Sequence, residues 1–562
     1  MSERSWIGRD SLRYSASSRL ALGIVFIIAL TLLLPRAFGP PGMFDEGFIV
    51  SGAMMIRNGW LPIMDFFVIY GPGQYYLTAG LFGLFGEDLL VHRLLHTVTL
   101  ALLGTCVAWC AFVMSNRRLE WLFGLGAAYL LIAVFARTGA GYPAVPAVLL
   151  LMCSAPVFAW WFTSGSDRAL FVASLLLGLA GLLRWDFGVY GVFTLTVTLG
   201  VVCLIRKSGA ERAMRWQACL LGPWFILTVL AFGPLIFMGD AQRWFEEVPK
   251  YAVFEFNKWR GIDFVRPQIS SFVGAWGKRD LGTMANASAA LAFAAAPLAL
   301  APAAALLAIA RLRRTAAAGS SIDVYALVIS LLSLCLMNQM RVRPTLTQGF
   351  AAVACCIPLA AYFGQFLPKL REASRWMNRF LPRVAGVGLV MLAIYGAQHK
   401  LRSLYGQRAA LDLPKASYVV VPTDASSRAE WSAYANLVRH VRATTADGES
   451  IFSGVSDTSR LFVNDAMLYF LTDRPPATRW IEMEPGLTNT EKGQLEMVEA
   501  LTRQRVNTVV LWNKVSDEPN ATSRSNGVHI LDDFVRANYI ENRRFGEYTV
   551  FVRSPRSRLS ER

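Results

Sequence analysis

The chain has 562 residues, of which 54% are hydrophobic and only 17% are charged. Soluble domains carry about 25% charged residues, so this composition excludes a chain built only of soluble domains. The mean hydropathy of +0.40 indicates that lipid surrounds most of the chain. The net charge of +16 comes largely from short loops between apolar segments. That distribution is typical of the cytoplasmic loops of a membrane protein, and it argues against nucleic-acid binding.

Eleven apolar segments approach the ~20 residues that a membrane-spanning helix needs. They are 20–36, 89–114, 119–136, 143–163, 169–183, 187–205, 216–238, 284–310, 322–340, 345–366 and 383–398. The first of them could also be a signal peptide. Because Pro35-Arg36-Ala37 is a poor cleavage context, we expect a retained anchor instead.

Basic residues recur in alternate loops. They precede the first predicted span and follow the second, fourth, sixth, eighth and tenth. Because positively charged loops stay in the cytoplasm, the pattern predicts a cytoplasmic N-terminus, and the odd number of spans then places the C-terminus outside. We therefore expect a multi-pass plasma (inner) membrane protein whose large loops 37–88 and 239–280 lie outside the cytoplasm.

The chain divides into a membrane module over 1–398 and an extracytoplasmic α/β domain over 399–562. In the second part, residue runs typical of strands alternate with amphipathic helical stretches. The predicted strands are 418–421, 450–455, 506–512 and 548–552, and the predicted helices lie near 428–444, 490–504 and 529–539. The expected fold class is a polytopic α-helical membrane protein with a small C-terminal α/β domain.

The first outer loop carries the most informative residues. Asp45 and Glu46 follow the first span closely, and Asp65 comes later in the same loop. Asp45 could cap the following helix while Glu46 favours its first turn through the helix dipole. Carboxylates in such a place could equally act as a general base. An apolar run in this loop, Gln74–Phe85, is too short to span and is expected to lie in the interface or to re-enter partway.

The order of motifs in this loop resembles the membrane-embedded glycosyltransferases of the GT-C class, including the protein O-mannosyltransferases and the lipid A aminoarabinose transferases. The matching elements are Asp45-Glu46, Gly59-Trp-Leu-Pro62, Gly71-Pro-Gly-Gln-Tyr-Tyr76 and Arg93. Close similarity covers roughly residues 20–115, and the general layout covers the whole chain. The chain has Tyr70-Gly71-Pro72 where the aminoarabinose transferases have Lys-Pro-Pro, so a lysine contact to the lipid phosphate does not carry over.

This resemblance implies inverting transfer of a sugar from a polyprenyl-phosphate carrier to a glycan, lipid or protein acceptor on the outer face of the membrane. It implies Asp45 rather than Glu46 as the general base, because the first acidic residue of this loop faces the reaction in the resembling enzymes. The leaving phosphate needs cations, and arginine binds phosphate oxygens in pairs. Candidate arginines at predicted outer membrane ends are Arg93, Arg184, Arg341 and Arg343.

These arginines have a simpler interpretation, in which they snorkel to lipid headgroups or, for Arg184, pair with Asp186. Asp65 and Tyr70 complete the predicted substrate-binding set, although aromatic residues here could equally form an interfacial belt. Further along, Lys250, Lys258 and Arg260 could steer an anionic headgroup, but acidic residues in the same loop balance them.

No cofactor is predicted, and a divalent metal has no support in the sequence. His92 and His96 have the i, i+4 spacing of metal ligands, but no third ligand is near, so an interfacial histidine pair is the simpler interpretation. Two other functions compete with the glycosyltransferase. One is a lipid or sugar transporter or flippase, which would need charged midplane sites and usually an internal repeat. The other is a non-catalytic subunit of cell-envelope assembly.

Overall fold

The computed structural model describes residues 16–115, 142–263, 269–270, 273–274, 276–277, 281–314, 320–343, 346–365, 408–422 and 424–555. In chain order, the helices of its membrane part are α1 (Ala16–Leu33), α2 (Asp45–Arg57), α3 (Gly73–Phe85), α4 (Leu89–Met114), α5 (Ala144–Ser164), α6 (Asp167–Leu183), α7 (Trp185–Arg206), α8 (Ala210–Met238), α9 (Ala241–Phe245), α10 (Phe256–Arg260), α11 (Leu281–Arg314), α12 (Ser321–Val342) and α13 (Leu346–Gly364). A π-helix, Glu246–Glu255, joins α9 to α10.

Within the described residues, 7 helices are long and apolar enough to cross a membrane. They are α1, α4, α5, α7, α8, α11 and α12. Two helices outside this set, α6 and α13, match the predicted spans 169–183 and 345–366. The predicted spans 119–136 and 383–398 lie outside the described residues. The chain is therefore a multi-pass helical membrane protein as expected, and the count of eleven spans stays a prediction.

A close backbone approach fixes the first outer loop to the helix bundle. The amide of Gly71 donates a hydrogen bond to the carbonyl of Leu183 at 3.1 Å. A Cβ atom at Gly71 would lie only 2.0 Å from the carbonyl oxygen of Leu182, so a larger residue would push the loop off the end of α6. This contact explains the Gly71-Pro-Gly segment and holds Tyr70 beside the junction of α6 and α7.

The C-terminal part contains a small sheet with helices around it. Its elements are β1 (Arg408–Ala410), β2 (Val420–Pro422), α14 (Ala425–Thr444), β3 (Ile451–Val455), α15 (Met467–Thr472), α16 (Glu491–Arg503), β4 (Thr508–Trp512), α17 (Ile530–Asn538), β5 (Tyr539–Phe545) and β6 (Tyr548–Arg553). The strand order is β3-β4-β6-β5, with β3 parallel to β4 and the other pairs antiparallel. Every residue of β3 and β4 is buried. The sheet agrees with the expected α/β part, while the predicted boundary at 398 lies outside the described residues.

The C-terminal part packs directly on α2. The amide of Ala466 donates to the carbonyl of Met43, and the hydroxyl of Ser51 donates to the carbonyl of Ala466 at 2.7 Å. A Cβ atom at Gly47 would lie 2.5 Å from the backbone nitrogen of Met467, so the two backbones touch there. These contacts lie just before α2 and within its first two turns, and they fix its N-terminal end against the C-terminal part.

Candidate active site

Asp45 is the first residue of α2 and lies partly exposed at the helix start. The preceding residue, Phe44, occupies the N-cap position. Asp45 therefore does not cap the helix, although its charge still favours the helix N-terminus through the dipole. Its carboxylate has no hydrogen-bond partner among the described residues. A carboxylate without protein partners is available to a substrate.

The positive charges of three arginines act on the carboxylate of Asp45. Desolvation by the surrounding protein raises the pKa of Asp45 above its ordinary value, and the charge of Glu484 raises it further. The charges of Arg260, Arg184 and Arg343 oppose this shift. The net rise brings the pKa of Asp45 closer to neutrality, where a carboxylate is a stronger general base.

Glu46, the next residue, forms a buried ion pair with Arg93. Arg93 Nε lies 2.6 Å from Glu46 Oε1, and Nη2 lies 2.7 Å from Oε2. Arg93 also donates to the carbonyls of Ala37, Gly39 and Pro40, and Glu46 accepts the amide of Gly42 at 2.7 Å. In this arrangement both side chains hold the segment that leads into Asp45. Their predicted catalytic and phosphate-binding roles remain predictions.

Arg184 lies between α6 and α7 and is 5% exposed. Its Nε and Nη2 donate to the two carboxylate oxygens of Asp186 at 2.9 and 2.7 Å. The third arm, Nη1, donates to the hydroxyl of Tyr142 at 2.9 Å, and the guanidinium carbon lies 5.0 Å from the ring centre of Tyr70. The local Arg184–Asp186 pair is therefore present, and Arg184 also contributes positive charge to the Asp45 site.

Arg343 directly follows α12 and forms an ion pair with Glu518 of the C-terminal part. Its guanidinium carbon lies 5.5 Å from the ring centre of Phe462. Arg341 belongs to the last turn of α12, and its side chain lies outside the described part of the chain. The sequence predicts both Arg341 and Arg343 as phosphate-binding residues at the C-terminal end of α12. Of these two, Arg343 contributes positive charge to the electrostatic potential at Asp45.

Arg260, at the end of α10, is the cation that sequence analysis undervalued. It is 7% exposed, lies 3.1 Å from Glu484, and donates to the carbonyl of Phe462 at 2.8 Å. Its Nε is buried without a hydrogen-bond partner. Acidic residues in the same loop balance its positive charge, so the net charge of the loop gave no reason to single out Arg260. Its position at the end of an aromatic-rich segment, Phe256–Arg260, was the available signal.

The segment Glu482-Met483-Glu484 of the C-terminal part supplies two carboxyl groups that sequence analysis missed. Glu482 is 4% exposed, and Glu484 accepts a hydrogen bond from the hydroxyl of Tyr251. Burial raises the pKa of Glu482 well above its ordinary value, and the charge of Glu484, a side-chain hydrogen bond with Glu484 and the charge of Asp45 raise it further. Two acidic residues separated by one apolar residue were the only sequence signal.

The other two predicted substrate-binding residues occupy different places. Tyr70 lies beside Arg184, and its pKa is raised by burial and by the charge of Asp45, so it belongs to the site. Asp65 is exposed and closes a turn by accepting the amide of Leu61 at 2.7 Å. Asp65 is not one of the charged groups that act most strongly on the pKa of Asp45.

One group of side chains in the described residues has the spacing of a metal site, and it consists of Asp457, His529 and Asp532. Asp532 already accepts hydrogen bonds from Thr458, so a structural role explains the group. His92 lies 3.2 Å from the hydroxyl of Thr78 and belongs to no such group among the described residues.

Among the solved structures that share the fold of this chain are two of one protein, ArnT. The crystal structure of ArnT from Cupriavidus metallidurans bound to undecaprenyl phosphate matches with a TM-score of 0.51 and 13% identity, covering 96% of this chain and 99% of that chain. Its apo crystal structure matches with a TM-score of 0.52 and 13% identity, covering 96% and 98%. No protein-family model and no curated protein sequence matches the chain. The chain therefore has the fold of ArnT, which confirms at the level of fold the resemblance expected from the first outer loop.

Proposed function

We propose that the protein is a glycosyltransferase that moves a sugar from a polyprenyl-phosphate carrier to an acceptor on the outer face of the inner membrane. The observation that carries this proposal is the setting of Asp45. It is a carboxylate without a hydrogen-bond partner among the described residues, and Arg184, Arg260 and Arg343 supply positive charge around it. The structure of ArnT bound to undecaprenyl phosphate supports a lipid of this class.

In the proposed reaction, Asp45 takes the proton of an acceptor hydroxyl as its oxygen attacks the anomeric carbon. The bond between that carbon and the phosphate oxygen breaks, and its electron pair leaves with the polyprenyl phosphate. A single displacement of this kind inverts the anomeric configuration. A positioned base contributes about 10²–10⁴-fold to the rate, and the oxocarbenium-like transition state gains from the nearby carboxylate.

The arginines have distinct proposed roles. Arg260 has a buried Nε without a partner, and Arg343 can exchange its contact with Glu518 for a phosphate oxygen. These two are the proposed direct phosphate contacts, with Arg341 retained from the sequence prediction. All three guanidinium nitrogens of Arg184 already donate hydrogen bonds, to Asp186 and Tyr142. Arg184 therefore stabilises the leaving phosphate by electrostatic attraction and not by direct contact.

A release assay tests this function. Purified protein is incubated with undecaprenyl phosphate linked to mannose, glucose or aminoarabinose, and the freed undecaprenyl phosphate is measured. We expect release from at least one donor and a loss of about 10²-fold or more in Asp45→Asn. Binding of undecaprenyl phosphate without release from any donor would favour the non-catalytic assembly subunit instead. Net movement of intact donor across a vesicle membrane without release would favour the flippase.

A further inference from the structure

A pocket of about 340 Å³ lies where the first outer loop and α9 meet the C-terminal part. The loop supplies Trp60, Met64 and Asp65 to its walls, and the C-terminal part supplies 476–480 and residues at the end of α16. Pockets for small molecules have volumes of ~300–1,000 Å³. The cavity is therefore large enough for a sugar unit. Asp45 and the arginines of the proposed donor site are not among its lining residues.

Hydrogen-bond donors and acceptors in this pocket are left without strong partners. Asp65 uses Oδ2 to accept the amide of Leu61 at 2.7 Å, and its Oδ1 has no hydrogen bond to the described residues. The guanidinium of Arg243 makes no hydrogen bond or ion pair with them either. Arg503 and Glu499 approach each other only to 4.0 Å, at side chains 69% and 76% exposed. A ligand in the pocket therefore meets both donors and acceptors.

The formal charges of the pocket walls cancel. Its charged lining residues are three arginines and three carboxylates, namely Arg243, Arg479, Arg503, Asp65, Glu496 and Glu499. An anion gains little from such a balance, whereas a sugar hydroxyl can donate and accept hydrogen bonds at the same time. Trp60 and Met64 add apolar surface on which the C–H face of a sugar ring can pack. This combination favours a neutral saccharide as the ligand.

Ion pairs and a backbone hydrogen bond fix the walls of the pocket. The amide of Phe67 donates to the carbonyl of Arg479 at 2.8 Å. The side chain of Arg479 donates to Glu496 of α16 and, at 2.8 Å, to Glu247 of the π-helix. Its guanidinium carbon lies 3.9 Å from the ring centre of Trp480. The pocket is therefore held in shape before a ligand arrives, which lowers the cost of binding.

The loop that carries Trp60 and Asp65 is strained. Ile63 has a φ of 74°, in the left-handed region that a β-branched residue rarely adopts. The loop closes on itself, because the amide of Ile63 donates to the carbonyl of Phe66 and the amide of Asp65 donates to the carbonyl of Leu61, both at 2.9 Å. Strained backbone of this kind is concentrated at sites that bind ligands.

The length of α2 sets the separation between this pocket and the proposed base. Asp45 is the first residue of α2, and the amide of Trp60 donates to the carbonyl of Met55 near the other end of the helix at 3.0 Å. With a rise of ~1.5 Å per residue, Asp45 and Met55 are about 15 Å apart along the helix axis. A ligand that reaches from the pocket to Asp45 is therefore a chain of several sugar units.

We propose that this pocket binds a neutral sugar unit of an oligosaccharide acceptor, several units away from the one that receives the transferred sugar at Asp45. This inference rests on the proposed function and extends it to the acceptor, which it assigns to the glycans. Trp60 packs against the sugar ring, Arg243 donates to its hydroxyls, and Asp65 accepts from them. The first outer loop then contributes to both ends of the acceptor site.

Direct binding to the full-length protein in detergent tests the pocket. The probes are mannohexaose, maltohexaose and chitohexaose, and binding is followed by saturation-transfer difference NMR. We expect at least one of them to bind, without displacement by inorganic phosphate or glycerophosphoethanolamine. Arg243→Met removes the hydrogen-bond donors and keeps an apolar stem. It should weaken binding of that hexasaccharide about tenfold, as for the loss of one charge-assisted hydrogen bond.

A matched pair of exposed arginines provides the control. Arg503 and Arg536 are both 69% exposed and each pairs with an acidic residue on its own helix, but only Arg503 lines the pocket. Arg503→Met should weaken hexasaccharide binding about threefold, and Arg536→Met should leave it unchanged. Neither substitution should change the melting temperature, because exposed ion pairs contribute little to stability.

A transfer assay tests whether the bound glycan is the acceptor. With whichever undecaprenyl-phosphate-linked sugar the wild type uses, the hexasaccharide that binds should be an acceptor with a kcat/KM at least about tenfold above that of its disaccharide, because only the longer chain reaches both the pocket and Asp45. Arg243→Met should raise the acceptor KM and leave the donor KM unchanged. Equal use of the disaccharide and the hexasaccharide would overturn the acceptor role of the pocket.

Other results would also overturn the inference. They are a wild type that binds none of the three hexasaccharides, equal hexasaccharide affinity in Arg243→Met and the wild type, and displacement by glycerophosphoethanolamine, which would assign the pocket to a zwitterionic lipid headgroup. Release of undecaprenyl phosphate from a donor would leave the proposed function standing in each of these cases. Glycan binding that depends on Arg243, in a protein that turns over no donor, would instead overturn the proposed function and the acceptor role and leave a glycan-binding pocket.

Discussion

Glu46 and Arg93 form a two-point ion pair, and their side chains are only 2% and 4% exposed. The pair ties the start of α2 to the start of α4, while Arg93 also binds three carbonyls of the segment between α1 and α2. Asp45 is adjacent in sequence but has no such partner. Because consecutive helical residues diverge by about 100°, one acidic residue of this dipeptide is anchored in the protein while the other makes no hydrogen bond to the described residues.

The buried pair leads to the first prediction. Glu46→Gln leaves the Arg93 guanidinium buried with a neutral partner, and breaking a buried pair costs about 3–5 kcal/mol. We therefore expect a clear drop in melting temperature, measured in detergent, with turnover per folded molecule reduced only a few-fold. Turnover lost at full stability would instead assign the base role to Glu46.

Asp45→Asn should behave in the opposite way. The side chain loses no protein hydrogen bond, so we expect the free energy of unfolding to change by less than about 1 kcal/mol. Turnover should fall about 10²-fold or more, because an amide cannot accept the proton. Since the pKa of Asp45 is raised, the wild-type rate should climb with pH through an acid limb lying above the ordinary aspartate value of about 4. Wild-type turnover in this variant would remove Asp45 from the reaction.

Patterns within short segments of the sequence were enough to predict those helices and site residues whose positions depend only on their near neighbours in the chain. Long apolar runs located the helices, and the Asp45-Glu46 pair and the Arg184–Asp186 pair could be identified because each lies at a helix start. The run Gln74–Phe85 corresponds to α3, Gly73–Phe85. In the C-terminal part, β5 was missed because five of its seven residues are exposed and polar side chains interrupt the apolar alternation.

The rest of the site depends on packing between distant segments. Arg260 and Glu482 reach Asp45 only because the C-terminal part lies on α2 and the end of α10 lies against it. Nothing in the residues around either one predicts these neighbours. The opposite charges of Arg260 and Glu484 balance in any count of net charge, although together they form a buried pair whose charges act on Asp45.

Charge asymmetry gives a prediction about orientation. With basic residues concentrated in the loops that alternate with 37–88 and 239–280, the N-terminus should be cytoplasmic and the C-terminal part exported. An alkaline phosphatase fused after residue 562 should be active, and a green fluorescent protein at the same position should stay dark. The reverse pattern would place Asp45 in the cytoplasm and contradict the proposed active site.

Arg343→Lys tests the phosphate contact. Lysine keeps the charge but cannot offer the paired geometry of guanidinium. We expect the donor KM to rise about tenfold, as for the loss of one charge-assisted hydrogen bond of ~1.5 kcal/mol. Arg215→Lys is the matched control, because Arg215 pairs with Asp167 at a 68% exposed position. Equal donor KM values in the two variants would show that Arg343 supports only its contact with Glu518.

The raised pKa of Glu482 predicts how stability depends on pH. A carboxyl group whose pKa is higher in the folded protein stabilises the fold fully below its unfolded pKa of about 4.3 and loses that contribution as the pH rises toward the folded value. Glu482→Gln cannot ionise and so escapes this loss. The melting temperature of the variant minus that of the wild type should therefore increase from pH 4 to pH 8. Glu491→Gln, at the exposed start of α16, is the control and should show no such trend. A difference that is flat across this range would mean that Glu482 titrates at its ordinary pKa, and a difference that decreases with pH would mean that its ionised form is bound by the nearby arginines.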